Sequence, residues 1–208
     1  MPSPVVTIFE SFGAGASTIG PAVADALGVP FLGQHFSTDE LMTAVHTQRP
    51  ADESVVDRLL GRLGRAAAQA DLGVFSGARE EYDVACSVAE LKASVAQGGV
   101  VLGRNATVIL ATTPGALHVR LDGPLERRAE RVARAQGADF AEMEARAVRD
   151  ESLRAEMSLR LFNWDPRNVD RYDLVLNSTT LGADLAVDVI VAAWRLKAAR
   201  AAQDTSSA

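Results

Sequence analysis

A glycine-rich turn near the amino terminus, set between a short apolar strand and a helix, most restricts the fold. The run Val5–Phe9 is almost entirely apolar, as expected for a buried parallel strand. Apolar residues at helical spacing begin at Ile19, after the turn. Gly13 and Gly15 lie between the two segments, where glycine lets backbone N–H groups point toward an anion at the helix amino terminus.

This turn fits the pattern G-x-x-x-x-G-K-[ST] of nucleotide phosphate-binding loops only in part. Gly15, Ser17 and the adjacent Thr18 agree with the pattern. Glu10 stands where the first glycine would be, and Ala16 stands where the lysine would be. The turn therefore has the position and shape of such a loop but lacks its cation.

Two interpretations of the loop are open. A tight turn between a strand and a helix needs no ligand. Alternatively, the loop holds nucleotide phosphates, and Ser17 or Thr18 holds the magnesium ion that bridges those phosphates. The segment in question comprises Gly13, Ala14, Gly15, Ala16, Ser17 and Thr18.

Short apolar strands alternate with helices along the rest of the chain, which predicts a parallel sheet covered by helices on both faces. Ligands of such α/β folds bind at the carboxyl ends of the strands. The further predicted strands lie within Gly28–Leu32, Val100–Leu102, His118–Leu121 and Leu174–Leu176. The further predicted helices are Thr38–Thr47, Asp52–Ala70, Glu80–Gln97, Pro124–Gln136, Asp139–Phe162 and Ala183–Ala202.

Composition limits the classes of protein. A chain of 208 residues with 48% hydrophobic residues forms one domain, or one domain with a mobile subdomain. The net charge of −6 does not favour binding to nucleic acid or to an anionic membrane. A single cysteine, Cys86, suits a reducing compartment, and neither a targeting segment nor a membrane-spanning run is seen. We expect a cytoplasmic protein, and the sequence does not indicate its oligomeric state.

Arginine supplies almost all of the positive charge, because Lys92 and Lys197 are the only lysines. Arg104 follows a predicted strand, where its guanidinium could either bind a phosphate or pair with a surface carboxylate. Two predicted helices carry many arginines among acidic residues. These are either exposed ion pairs or part of a lid that closes over phosphates. The arginines are Arg127, Arg128, Arg131, Arg134, Arg146, Arg149, Arg154 and Arg160.

Other polar residues give weaker indications. The three histidines, among them His118, form no pair at metal-ligand spacing. Asp122 ends a predicted strand, where a turn or helix-cap role is favoured over metal binding.

In the order in which they occur along the chain, several motifs resemble those of the cytidylate kinase-like family of P-loop nucleotide kinases. The resemblance covers roughly residues 5–195. It rests on motifs within Thr7–Ala16, Gly28–Phe31, Leu102–Ala106, Pro124–Arg128 and Tyr172–Ser178, and on Asp150 with Arg154.

The resemblance implies a three-layer α/β/α fold with a five-stranded parallel sheet, in one domain over residues 1–202. Acceptor-binding helices would occupy about 38–97 and a helical lid about 139–163, followed by a disordered tail over 203–208. It implies transfer of the γ-phosphoryl group of ATP, with Mg²⁺, to a nucleoside monophosphate such as CMP or to another small phosphate-bearing acceptor.

The resemblance also implies roles for individual residues. Gly13–Thr18 would hold the donor phosphates, Arg104 would contact the acceptor phosphate, and Arg154 would act from the lid together with Arg149 and Arg160.

Departures from the pattern keep a second function open. Ala16 stands where true cytidylate kinases have lysine, which the kinase-like family often lacks. Acidic residues of the family or of true cytidylate kinases are also replaced, by Gly33, Leu102 and Asn105. Losing the lysine should lower a transfer rate by about 10²–10³, by analogy with other preorganised donors. The chain is therefore either a kinase that relies on its arginines or a kinase-fold module that senses nucleotides with little or no transfer. A structural protein that retains only the fold is a third interpretation.

Overall fold

The computed structural model describes residues 3–33, 88–103 and 105–206. Contacts within the chain define two compact units, and the larger comprises Met1–Gln34 and Ser94–Ala208. The fold below is that of the larger unit. The predicted helices Thr38–Thr47 and Asp52–Ala70 lie outside the described residues, as does Cys86, whereas residues 88–94 are helical as predicted.

Strands and helices alternate as the sequence predicts. The strands are β1 (Val5–Glu10), β2 (Phe31–Leu32), β3 (Gly99–Leu102), β4 (Leu117–Asp122) and β5 (Leu174–Asn177). The helices of this unit within the described ranges are α1 (Ala16–Leu27), α2 (Ala106–Ile109), α3 (Leu125–Gln136), α4 (Phe140–Phe162), α5 (Ser178–Leu181) and α6 (Ala183–Ser206).

The five strands form one sheet in the order β2-β3-β1-β4-β5, and every neighbouring pair is parallel. Val6 of β1 lies opposite Val100 of β3 and Leu117 of β4, so β1 is central and buried from both sides. This architecture confirms the predicted three-layer α/β/α fold with a five-stranded parallel sheet. It also places the carboxyl end of β1, and hence the glycine-rich turn, at the middle of the sheet edge where ligands bind.

Apolar stripes of α1 and α6 pack on the sheet and form its main core. Ile19 and Val23 of α1 and Ile190 of α6 are fully buried against Val6 and neighbouring strand residues. Each such side chain stabilises the fold by about 1.5–3 kcal/mol relative to an exposed position. This core holds α1, and therefore the turn that precedes it, in a fixed position relative to the sheet.

A buried polar network crosses the sheet between β1 and β4. The Thr7 hydroxyl lies 2.8 Å from His118 Nδ1 and 3.2 Å from the Thr107 hydroxyl. Asp173 accepts a hydrogen bond from the His118 backbone N–H and pairs with Lys197. Burial lowers the pKa of His118, so its imidazole is neutral at neutral pH. We assign His118 to structure, because its ring nitrogen and backbone are occupied within the fold.

Helix ends follow their capping residues. Asp139 caps α4 by accepting from the Glu142 N–H at 3.1 Å, and Gly137 ends α3 in a left-handed conformation. The sequence predicts that helix α6 ends at Ala202 and that a disordered tail follows over 203–208. In the structure the helix continues to Ser206. No glycine or proline interrupts this segment, so nothing in it stops the helix. Within the described ranges, no helix is both long and apolar enough to cross a bilayer.

Candidate phosphate-binding site

The turn after β1 has the backbone shape of an anion-binding loop. It runs from Glu10 to the first helical residue, Ala16, and both of its glycines have positive φ, +76° at Gly13 and +90° at Gly15. Residues with side chains rarely adopt this conformation. At Gly13 a Cβ atom would also lie 2.6 Å from the backbone oxygen of Arg128 on α3. The glycines therefore permit both the left-handed turn and its close contact with α3.

The Glu10 carboxylate folds back into this turn and occupies it. Its Oε1 accepts hydrogen bonds from the backbone N–H groups of Gly15, at 2.8 Å, and Ala16, at 3.0 Å. N–H groups at a helix amino terminus are suited to anions, because they lack partners within the helix and carry the positive end of the helix dipole. The loop thus already holds one anionic group, contributed by the chain itself.

Sequence reasoning noted Glu10 only as a missing glycine and did not predict where its carboxylate goes. The sequence nevertheless contains the pattern from which this contact can be predicted. A carboxylate at the end of a strand, just before a glycine turn and a helix, can reach the first N–H groups of that helix and is attracted by them.

An ion pair between a buried arginine and a partly exposed glutamate fixes the loop to the helices behind it. Arg128 Nη1 donates to the Phe12 backbone oxygen at 2.7 Å and pairs with the Glu151 carboxylate of α4. Glu151 in turn accepts from the Phe12 N–H at 3.2 Å. Only 5% of the Arg128 side chain is exposed, so this arginine is neither part of an exposed ion pair nor a lid residue, the two interpretations offered by the sequence. Arg128 instead holds the loop backbone in place, and its Nε donates a further hydrogen bond to the Gly123 backbone oxygen.

Arg131 lies across the front of the same loop. Its Nη1 donates to the Gly13 oxygen at 3.4 Å and its Nη2 donates to the Ser178 oxygen at 3.1 Å. A Cβ atom at Gly15 would lie 2.8 Å from Arg131 Nη1, so the guanidinium lies directly against this glycine of the loop. Both hydrogen-bond acceptors are carbonyls, and no carboxylate of the described residues forms an ion pair with Arg131. Its positive charge thus remains available to an anion.

An open cavity of about 480 Å³ lies between the loop and helices α3 and α4. Pockets for small ligands have volumes of about 300–1,000 Å³. The walls combine loop residues with one face of α3 and one arginine of α4. The residues are Glu10, Phe12, Gly13, Gly15, Ser17, Thr18, Arg131, Val132, Ala135, Gln136 and Arg154.

The loop residues expected to hold phosphates divide into two groups. Gly13, Gly15, Ser17 and Thr18 line the cavity, and both hydroxyl residues are exposed. Ala14 and Ala16 are fully buried, with their side chains in the core beneath the loop.

The predicted functional arginines are distributed differently. Arg154 lines the cavity, and its Nη1 donates to the Glu10 backbone oxygen at 3.1 Å. Arg149 and Arg160 are exposed on α4 and are not among the residues that line the cavity. Arg104, expected at the acceptor phosphate, lies outside the described residues. Asp122 accepts from the Gly123 N–H and pairs with Arg120, in keeping with the predicted turn role.

The oxygen atoms near the loop determine which metal chemistry fits. Among the described residues no group of three or more His, Cys, Asp or Glu side chains could hold a metal ion. Ser17 and Thr18 provide hydroxyl oxygens beside the cavity. Magnesium prefers oxygen ligands in octahedral geometry and often binds through substrate phosphates. The donor set therefore fits a magnesium ion that arrives with a polyphosphate rather than one held by the protein alone.

A five-stranded parallel sheet, with a glycine turn of this shape after its central strand, defines the chain as a P-loop protein of the nucleotide-kinase type. A sequence model described as the cytidylate kinase-like family matches residues 5–180. The chain therefore belongs to the cytidylate kinase-like family, as its motifs predict.

Curated relatives match parts of the chain. It is 35% identical over 104 residues to the uronate isomerase of Corynebacterium glutamicum, covering 50% of this chain and 20% of that protein. It is 28% identical over 94 residues to the cytidylate kinase of Ignicoccus hospitalis, covering 45% of this chain and 55% of that protein. The chain thus spans about half or less of the length of these relatives.

A solved structure extends the likeness across the fold. An uncharacterized protein from Eubacterium ventriosum superposes with a TM-score of 0.62 at 16% identity, covering 93% of this chain and 99% of that one. At this identity the likeness shows the fold alone.

Proposed function

We propose that this protein is a nucleotide kinase-like phosphotransferase that binds Mg²⁺-ATP in the cavity above the glycine turn. The proposed reaction transfers the γ-phosphoryl group to a nucleoside monophosphate such as CMP, or to another small phosphate-bearing acceptor. The observation that carries the proposal is the composition of the cavity. Loop N–H groups form one wall, and the guanidinium groups of Arg131 and Arg154 line the others.

Arginine can supply the charge that the missing lysine would bring. Phosphoryl transfer depends mainly on positioning and on neutralising the charge of the transferred group. A guanidinium offers a planar fork of donors that matches phosphate oxygens. Arg131 lies against Gly15, next to Ala16 at the lysine position, and Arg154 approaches the same loop from α4. We propose that these two side chains bind the donor phosphates and that Arg149 and Arg160 assist from the lid over residues 139–163.

Magnesium would bind with the nucleotide. Ser17 is the residue we propose to hold it, with Thr18 as the adjacent hydroxyl, because both line the cavity and Ser17 occupies the motif position. The ion would reduce the negative charge of the phosphates. We further propose that the acceptor binds through Arg104 and the segment of about 38–97, within a single domain over 1–202, and that the protein acts in the cytoplasm.

A second candidate function is a nucleotide-responsive module that transfers no phosphate. Two observations favour it. The loop lacks the lysine, and the Glu10 carboxylate already accepts from the N–H groups of Gly15 and Ala16 that a phosphate would need.

Two measurements separate these candidates. Thermal stability is recorded with ATP, other nucleoside triphosphates and Mg²⁺, since a ligand that binds the folded state raises its apparent stability. ADP release is then followed with CMP, UMP, AMP and GMP as acceptors. We expect ATP to stabilise the protein and ADP release to require one of the acceptors.

Arg154→Ala provides the residue-level test, with Arg134→Ala on the exposed face of α3 as the matched control. We expect Arg154→Ala to lower ADP release or ATP affinity at least about tenfold, because a charged hydrogen bond to phosphate is lost. Arg134→Ala should leave both unchanged. Binding without acceptor-dependent ADP release would favour the sensor. No stabilisation by any nucleotide at millimolar concentration would contradict both functions.

A further inference from the structure

The Glu10 carboxylate occupies the part of the loop that a phosphate would need. Its Oε1 accepts two hydrogen bonds, from the N–H groups of Gly15 at 2.8 Å and Ala16 at 3.0 Å, at the start of α1. Glu10 also lines the cavity of about 480 Å³ together with Arg131 and Arg154. The loop amides thus hold one carboxylate beside a cavity that two cationic side chains also line.

We propose that Glu10 is an internal competitor for the phosphate-binding loop and sets which ligands the loop accepts. This inference rests on the proposed function, because it assumes that the cavity binds a polyphosphate. A polyphosphate must displace the carboxylate before it reaches the two amides. Weakly charged ligands cannot do so, whereas a nucleoside triphosphate brings several anionic oxygens and, with them, contacts to the arginines.

The displacement requires only a side-chain movement. The Glu10 backbone stays in β1 and its oxygen remains bonded to Arg154 Nη1 at 3.1 Å. The released carboxylate stays beside a cavity whose walls carry two guanidinium groups. Water in the open cavity can then solvate it, so its release does not depend on the guanidinium groups that the ligand contacts, and the glycine turn itself need not refold.

Competition of this kind has a measurable consequence. When a binding-competent state is populated only in part, the apparent dissociation constant increases by the inverse of that fraction. If the carboxylate is bound to the two loop amides about nine-tenths of the time, removing it should strengthen phosphate binding about tenfold. A glutamine keeps an oxygen acceptor but not the charge, so it should give an intermediate result.

The test measures binding of ATP and of inorganic tripolyphosphate to the wild type, Glu10→Gln and Glu10→Ala by calorimetry. Glu130→Gln is the matched control, because it removes one negative charge from an exposed position on α3 that does not line the cavity. We expect affinity to increase from wild type to Glu10→Gln to Glu10→Ala, by about tenfold overall, with less than a twofold change in Glu130→Gln. The amide resonances of residues 15 and 16 should shift in both Glu10 variants before any ligand is added.

The outcomes distinguish the two hypotheses. If wild type binds ATP and neither Glu10 variant binds more tightly, the competitor role is wrong while the proposed function stands. An equal gain in Glu130→Gln would assign the effect to net charge and would also overturn the role. If no variant binds either probe at millimolar concentration, the proposed function fails together with this inference. Binding by Glu10→Ala alone would support the competitor role, because the carboxylate then excludes ATP from the wild type, and would contradict the proposed function.

Discussion

Arg128 and Arg131 lie one turn apart on α3, at the back and at the front of the same loop. Arg128 at the back is buried and pairs with the Glu151 carboxylate while holding the Phe12 oxygen. Arg131 at the front is half-buried and donates to the carbonyls of Gly13 and Ser178. The two side chains have the same chemistry and nearly the same position in the chain, but different acceptors.

The acceptor determines what each arginine can do. A carboxylate neutralises the guanidinium, and burial makes the pair part of the scaffold. Carbonyl groups orient a guanidinium without cancelling its charge, so an anion can still bind to it. Arg128 therefore fixes the loop, and Arg131 is placed to serve the ligand. The comparison predicts that loss of Arg128 lowers stability and loss of Arg131 lowers binding.

The largest expected effect is on stability. Arg128→Met should lower the free energy of unfolding by about 2–4 kcal/mol, because it removes a buried guanidinium that pairs with the partly exposed Glu151 carboxylate and also donates to the oxygens of Phe12 and Gly123. Chemical denaturation at neutral pH measures this loss.

The double variant Arg128→Met/Glu151→Leu provides the control. Replacing both partners with apolar side chains should recover part of the loss, since a buried pair can be exchanged for apolar packing at little cost. Surface ion pairs typically contribute less than about 1 kcal/mol. A loss of that size in the single variant would show that Arg128 is not a scaffold residue, and its role would then not differ from that of Arg131 in the way proposed.

Arg131→Met should act mainly on the ligand. We expect ATP affinity to fall about 10- to 100-fold, because a charge-assisted contact is lost, while the free energy of unfolding falls by only about 1 kcal/mol through two carbonyl hydrogen bonds. Arg131→Lys keeps the charge without the planar fork and should recover affinity only in part. Unchanged ATP binding in a folded Arg131→Met protein would place the ligand elsewhere or show that Arg131 is structural.

Sequence patterns predicted the sheet and its strands because each depends on local composition. Apolar runs bounded by glycine turns specify β1, β3 and β4, and the spacing of Gly13 and Gly15 locates the loop. The arginines of α3 and α4 could not be sorted in the same way. Arg128, Arg131 and Arg134 have similar sequence neighbours, and only the tertiary position of Glu151 and of the loop carbonyls separates their roles.

Arg134 extends the comparison to the exposed face of α3 and should show the smallest effect. Its side chain is 76% exposed and pairs with Glu130, itself 60% exposed, four residues earlier on the same helix. Such pairs contribute about 0.3–0.5 kcal/mol, because water and salt screen the charges. Arg134→Ala should therefore change the free energy of unfolding by at most about 0.5 kcal/mol, as measured by denaturation at low and high salt, and should leave ATP affinity unchanged. A tenfold loss of ATP affinity would show that the ligand reaches beyond the cavity to the outer face of α3. The relation between hydrogen-bond acceptor and role that Arg128 and Arg131 show would then fail for Arg134.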